Sequence, residues 1–172
     1  MITHAIDLAA DGVNGVSPTP ANARTRNICD RRAVSAAYYA LFHHLNGSVV
    51  DLIAPHVSVV ANHRIRRWLE HIEMKKVCGR FLPAQLDQPL LALIGDSVSP
   101  DLRNVAQNFI TLQEARHNAD YNVGYSLTSE DARQFILLAL VAMDSWDRIA
   151  TSAEANIFIL SLLMWKNWEK ER

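Results

Sequence analysis

The chain has 172 residues, long enough for one sizeable core and short for two ordinary domains. Apolar residues make up 49% and charged residues 20%, a balance that excludes a disordered chain. A net charge of −1 excludes a strongly basic nucleic-acid coat protein, although Arg24, Arg26, Arg31 and Arg32 crowd one short segment.

Six Gly and six Pro suit helices better than a turn-rich β fold. Thr3 to Val13 reads as a short first helix, followed by a loop at Asn14–Pro20 with one Gly and two Pro. A long helix is expected from about Asn22 to about Val50. Its apolar stripe is Ile28, Tyr38, Phe42, Leu45 and Val49, and Asn46-Gly47 is a point where it could end. Pro55 breaks the next piece. A helix over about Ser58 to Cys78 carries Val59, Ile65, Trp68, Leu69, Ile72 and Met74 on one face, with Gly79 as its stop. Its other face holds His63, Arg64, Arg66, Arg67, Lys75 and Lys76. The plain reading of that face is a solvated surface; the functional one is phosphate contact with RNA, Arg64 and Arg67 included.

Pro83, Pro89, Gly95 and Pro100 punctuate a mostly irregular stretch, with a turn or two of helix at Leu90–Ile94. Ser99-Pro100-Asp101 is a helix start: a hydroxyl cap, Pro at the first position and an acid at the positive end. That helix should run to about Asp120 on the stripe Leu102, Val105, Ala106, Phe109 and Leu112. Thr128 with Asp131 has the spacing of a capping box and opens another helix, apolar all round from Phe135 to Met143 and so expected centrally or at a subunit contact. Thr151 with Glu154 has the same spacing before a last helix. The pattern is all-α, with four main helices and additional short ones, in a single domain over 1–172. The motif-bearing core spans about 22–150, and the C-terminal helix about 153–170.

Cys29 and Cys78 stand far apart with no second pair for zinc, which suggests free thiols in a reducing cytoplasm. No charged segment followed by an apolar core opens the chain, and the apolar run Ile157–Trp165 is too short to span a bilayer, so no signal peptide and no membrane contact are expected. Of the histidines, His43 and His44 are adjacent and diverge by about 100° on a helix. The E-x-x-H spacing occurs once, at Glu114 to His117, where a bundle metal site needs two. We expect neither metal nor cofactor.

One more turn of the Leu102–Leu112 stripe lands on Arg116, in the run Glu114-Ala115-Arg116-His117-Asn118-Ala119-Asp120-Tyr121. A guanidinium at the edge of an apolar stripe needs an anion, and Arg is the side chain best shaped for phosphate. The plainer reading of Arg116 with Asp120 is an intrahelical ion pair worth about 0.3–0.5 kcal/mol. His117, Asn118 and Tyr121 add donors and a titratable imidazole at the same helix end. In the earlier helix, Ser35, Tyr39 and His43 recur at four-residue spacing and present polar tips on one face.

The run Ala33-Val34-Ser35-Ala36-Ala37-Tyr38-Tyr39-Ala40-Leu41-Phe42-His43, followed later by Arg116-His117-Asn118-Ala119-Asp120-Tyr121, resembles the HEPN (higher eukaryotes and prokaryotes nucleotide-binding) family. It is similar in particular to the prokaryotic branch whose second motif is R-x-x-A-D-Y, and the likeness covers roughly Ile28 to Ala150. The resemblance implies an up-and-down helical bundle, usually a homodimer, acting on RNA or a nucleotide in a toxin–antitoxin or defence system. It implies a composite cleft for metal-independent RNA cleavage, in which the 2′-hydroxyl attacks the adjacent phosphorus. A His moves protons and an Arg neutralises the developing charge. Carried over residue by residue, Arg116 takes the Arg place and His117 the polar place after it, with Asp120 and Tyr121 shaping the cleft. Asn118, Ser35, Tyr39, His43, Arg64 and Arg67 are the further candidates for RNA or nucleotide contact. The family's nuclease His belongs five to seven residues after the Arg, where this chain has Tyr121, Asn122 and Val123; a phenol is a poor base at neutral pH. The alternatives are a catalytically silent module paired with a minimal nucleotidyltransferase, with Tyr121 as a hydroxyl open to nucleotidylation, or a structural dimerisation protein.

Overall fold

The computed structural model describes residues 2–11, 20–56, 58, 60–61, 71–83, 86–95 and 97–168, and these are all-α, with no strand among them. The helices are α1 (Ile2–Asp11), α2 (Pro20–Ile53), α3 (His71–Arg80), α4 (Gln88–Ile94), α5 (Pro100–Tyr121), α6 (Ser129–Ile149) and α7 (Ala153–Trp168). The expected loop before Pro20 lies outside the described residues, as do Arg64, Arg67 and most of the basic face. Among the described residues no helix is long and apolar enough to cross a membrane.

The starts of these helices follow from their capping chemistry. Ser99 Oγ accepts from Leu102 N at 3.1 Å, and Pro100 takes the first helical position, where its missing N–H is no loss. Thr128 and Asp131 form the reciprocal box: Asp131 N donates to Thr128 Oγ1 at 3.1 Å and Thr128 N to Asp131 Oδ2 at 2.9 Å. For α7 the cap is Ser152, whose Oγ accepts from Ala155 N at 3.1 Å. Thr151 is therefore not the cap, and Glu154 turns to accept from Ser99 N at 3.0 Å. The short α4 is closed at both ends. Asp87 accepts from Leu90 N while Arg80 holds its other oxygen, and Gly95 takes φ 93° to stop the helix. Gly79 does not stop α3, which runs on to Arg80, and Gly47 does not interrupt α2.

The chain divides into two compact units, Met1–Leu41 with Thr111–Val141, and Phe42–Ile110 with Ala142–Arg172. In the first, Ala33, Val34, Ala37, Tyr38 and Leu41 of α2, Leu112, Ala115 and Ala119 of α5, and Ala132, Ile136 and Ala139 of α6 are buried. So many alanines leave little bulk between helices and let backbones approach closely. Ile28 is 49% exposed and is no part of this core, contrary to its place in the expected stripe.

The second unit has the larger side chains. Leu102, Val105, Ala106 and Phe109 of α5 are fully buried, and α3 and α4 pack on α7. Phe158 of α7 stands between Phe81, edge-on at 5.1 Å, and Trp146 of α6, tilted at 5.7 Å. Trp146 satisfies its indole N–H on Ser48 Oγ at 2.7 Å. Cys78 is fully buried there, and burial pushes its thiol far up, so it behaves as a small apolar side chain; Cys29 is partly exposed.

Candidate functional site

The site begins with register. Once Leu102 to Leu112 face the core, the next turn of α5 places Arg116 at the margin of the first unit, its side chain 23% exposed. Asp120 follows one turn later, with Arg116 Nε 2.7 Å from Asp120 Oδ2. That contact is one of charge proximity: the Nε–H finds no aligned hydrogen-bond acceptor, so the pair is not a two-pronged fork.

On α2, Ser35 and Tyr39 are also four apart, and they meet this pair rung by rung. Ser35 Oγ donates to Asp120 Oδ1 at 2.5 Å, and Arg116 Nη2 donates to Tyr39 Oη at 2.9 Å. As the α2 number rises the α5 number falls, so the two helices run antiparallel through the site. The guanidinium carbon sits 5.5 Å from the Tyr39 ring centroid and 5.3 Å from that of Tyr121, within cation–π range of both. Partial burial works against the Arg116 charge. Tyr39, Asp120 and Tyr121 together outweigh it and hold the guanidinium above its ordinary value.

Arg31, one turn before Ser35, supplies the rung that the sequence reading missed. Its Nη1 donates to the carbonyls of Ala119 (2.8 Å) and Asn122 (3.0 Å), and its Nη2 to those of Tyr125 (2.6 Å) and Val123 (3.4 Å). Nε donates to Asn27 Oδ1 at 2.8 Å. A cation that fills the last carbonyls of α5 suits both the orphaned acceptors and the negative end of the helix dipole. The available signal was spacing, since Arg31, Ser35 and Tyr39 recur every four residues. In the sequence it stands instead as one of four arginines crowding a short segment.

The structure thus brings Ser35, Tyr39, Arg116, Asp120 and Tyr121 together. His117 is exposed, and its ring lies 5.2 Å from that of Tyr121, which is itself 64% exposed. Asn118 is half-buried, and its carbonyl accepts from Asn122 N. His43 is exposed and falls in the second unit, edge-on to Phe42. Among the described residues no group of three His, Cys, Asp or Glu is placed to hold a metal ion. Chemically, the arrangement is an oriented cation flanked by two phenols, with an imidazole and a tethered carboxylate at its rim.

An open cleft of about 410 Å³ lies elsewhere in the same unit, between Arg26, Asn27 and Asp30 of α2 and Leu127–Ser129 at the start of α6. Asp30 is 1% exposed; Oδ2 accepts from Ser129 Oγ at 2.9 Å, and Oδ1 has no partner. Burial raises its pKa above 3.8, against the opposing pull of Ser129, Arg26 and Arg133. Below the unfolded value both states are protonated and nothing is lost; as pH rises through the folded value, the native state must hold a poorly solvated charge. Asp30→Asn should therefore raise the Tm at pH 7, and the gain should shrink as pH falls towards 4. Thermal denaturation of both proteins across that range checks this, and a less stable variant at pH 7 contradicts it.

No protein-family model, curated protein or solved structure matches this chain.

Proposed function

We propose that this chain binds RNA or a nucleotide at Arg116, and that the reaction its side chains can support is metal-independent cleavage of RNA. One observation carries the reading: the guanidinium stands between Tyr39 and Tyr121, partly exposed, beside an acid whose other oxygen is occupied by Ser35. A carboxylate tethered in that way orients the cation without a two-pronged match. A phosphate, with more oxygens and a better fit to the guanidinium edge, competes well for it. The exposed rings of Tyr121 and His117 give an unstacked base a surface to rest on. For cleavage, the 2′-hydroxyl gives up its proton and attacks phosphorus, the P–O5′ bond breaks to leave a 2′,3′-cyclic phosphate and a protonated 5′-hydroxyl, Arg116 offsets charge on the phosphoryl oxygens, and His117 is the group nearest in sequence that can take the first proton and return it to the leaving oxygen. By the family resemblance, Asp120 and Tyr121 would border the bound phosphate. The setting, by the family resemblance, is a toxin–antitoxin or defence system.

A second reading is favoured by the 64% exposure of Tyr121. Here the chain is a catalytically silent module whose Tyr121 hydroxyl accepts a nucleotidyl group from a partner nucleotidyltransferase.

Binding of a fluorescent single-stranded RNA separates these readings. Arg116→Ala should weaken it by about tenfold or more, ~1.4 kcal/mol, and lower the slope of log affinity against log salt by about 0.7, one phosphate's share. Arg116→Lys should recover the charge but little of the affinity, because an ammonium does not stack between two rings. Unchanged binding in Arg116→Ala refutes the anion site. Cleavage that persists in EDTA and fails in both Arg116→Ala and His117→Ala supports the nuclease. Binding without cleavage leaves the module.

A further inference from the structure

Asp30 is a carboxylate in an unfavourable place. It is buried, Ser129 occupies one of its oxygens, and the other, Oδ1, has no partner. Buried polar groups in folded chains are as a rule hydrogen-bonded, because leaving one unmatched costs stability. A group kept at such a cost points to a use outside packing. Asp30 also lines the floor of the open cleft between α2 and the start of α6, whose volume of about 410 Å³ is that of a small-molecule site. Both walls belong to the first compact unit. Among the described residues Asp30 is the one carboxylate lining the cleft, too few for a divalent cation.

The lining sorts by hydrogen-bonding character. The ionised Asp30 offers acceptors only. Asn27 gives its amide oxygen to the Nε–H of Arg31, which fixes the orientation of the amide and leaves its NH2 as the group to offer. Arg26, half-buried, acts on Asp30 across space with no hydrogen bond between them. It stands one turn before Asp30 on the same face of α2, about 6 Å along the axis. The cleft therefore has an acceptor end and a donor end, a helical turn apart. A protonated amine is the strongest partner for Asp30, since it donates and neutralises a poorly solvated charge together. A ligand with positive charge alone is opposed by Arg26 and Arg133, and one with negative charge alone by Asp30 and Asp131. A ligand with both signs turns Arg26 from an opponent into a partner.

We propose that this cleft binds a small zwitterion of the short amino-acid class, its protonated amine on Asp30 and its carboxylate on Arg26 and Asn27. The proposal shares no side chain with the Arg116 cluster and does not depend on that reading. It also accounts for the charge at position 30, because the ligand's ammonium supplies the donor that Oδ1 lacks in the chain alone.

NMR titration of the full chain tests it, with glycine, β-alanine and γ-aminobutyrate as probes and ethylammonium and acetate as single-charge controls. At least one zwitterion should shift the amides of Asn27, Asp30, Thr128 and Ser129 saturably, and should bind about tenfold more tightly than either control. Asp30→Asn should weaken that binding by about tenfold or more, and Arg26→Ala should bring it down to the level of ethylammonium. The Asp30 carboxyl carbon gives a reading on the unaltered protein. Arg26 and Arg133 favour its ionised form and Asp131 opposes it. A bound ammonium adds to the first pair, so a saturating zwitterion should move the carboxyl titration to lower pH. The proposal is overturned by the absence of a saturable shift with all three zwitterions, by unchanged binding in Asp30→Asn, or by a control that binds as well as the best zwitterion. If Asp30→Asn fails to fold, Arg26→Ala and the carboxyl titration still decide the matter, and a titration unmoved by a saturating probe overturns it.

Discussion

Trp146→Ala should be the most destabilising single substitution in the chain, at about 3–5 kcal/mol. The indole is wholly buried, touches Phe158, and through it connects to Phe81, so one side chain ties α6 to α7 and to the end of α3. Removing it leaves a cavity between helices and strips an aromatic contact from Phe158, each of which adds to the lost transfer energy. Against a total stability of roughly 5–15 kcal/mol, that loss takes a large share. Ser48→Ala isolates a second part of the effect. It removes the acceptor and leaves the indole N–H buried without a partner, at about 1–3 kcal/mol. Urea denaturation followed by circular dichroism reads both. A loss below about 1 kcal/mol for Trp146→Ala would show that the second unit does not depend on this aromatic row.

The local rules carried most of the helix boundaries, and their failures have particular causes. Ser99 and the Thr128–Asp131 box are chemical signals confined to four residues, so nothing distant could override them. The cap at Ser152 was one residue from the expected one because two hydroxyls stand side by side. The tie was broken by Glu154, which is drawn to the backbone of Ser99 rather than to its own helix start. Ile28 is ten residues before Tyr38, and at about 100° per residue that leaves it some 80° off the stripe. An i, i+3, i+4 count tolerates such drift over one turn and fails over three. Gly47 lost to its neighbours: a helical Gly costs about 1 kcal/mol, and burial of Leu45, Val49 and Val50 exceeds that several times over. In the candidate site, Arg116 and Asp120 were legible from spacing within one helix. The pairing of Ser35 with Asp120 and Tyr39 with Arg116 was not, since it depends on the register between helices far apart in sequence.

Arg31 is the sharpest case, and it carries the second large effect. Its guanidinium has five N–H donors, and the structure gives them four carbonyls and one amide oxygen. Backbone acceptors leave no trace in a pattern of side chains, so nothing in the sequence separated this arginine from Arg24, Arg26 and Arg32. Arg31→Ala should lower stability by about 2 kcal/mol, less than five charge-assisted bonds would suggest, because water can reach part of the loop once the side chain is gone. The local consequence is larger. Without Arg31 the last turn of α5 frays, and Asp120 and Tyr121 ride on that turn. Amide exchange at Ala119 to Tyr125 should accelerate far more than in the second unit. If the proposed anion site at Arg116 binds RNA, its affinity should also fall by about tenfold although Arg31 donates to backbone and Asn27 alone. Arg31→Lys preserves the charge at the helix end but offers three donors without the planar fork, so exchange and affinity should both fall between wild type and alanine. Equal exchange at Ala119–Tyr125 in wild type and Arg31→Ala would mean that the turn holds itself, and that the orientation of Asp120 and Tyr121 owes nothing to the arginine beneath it.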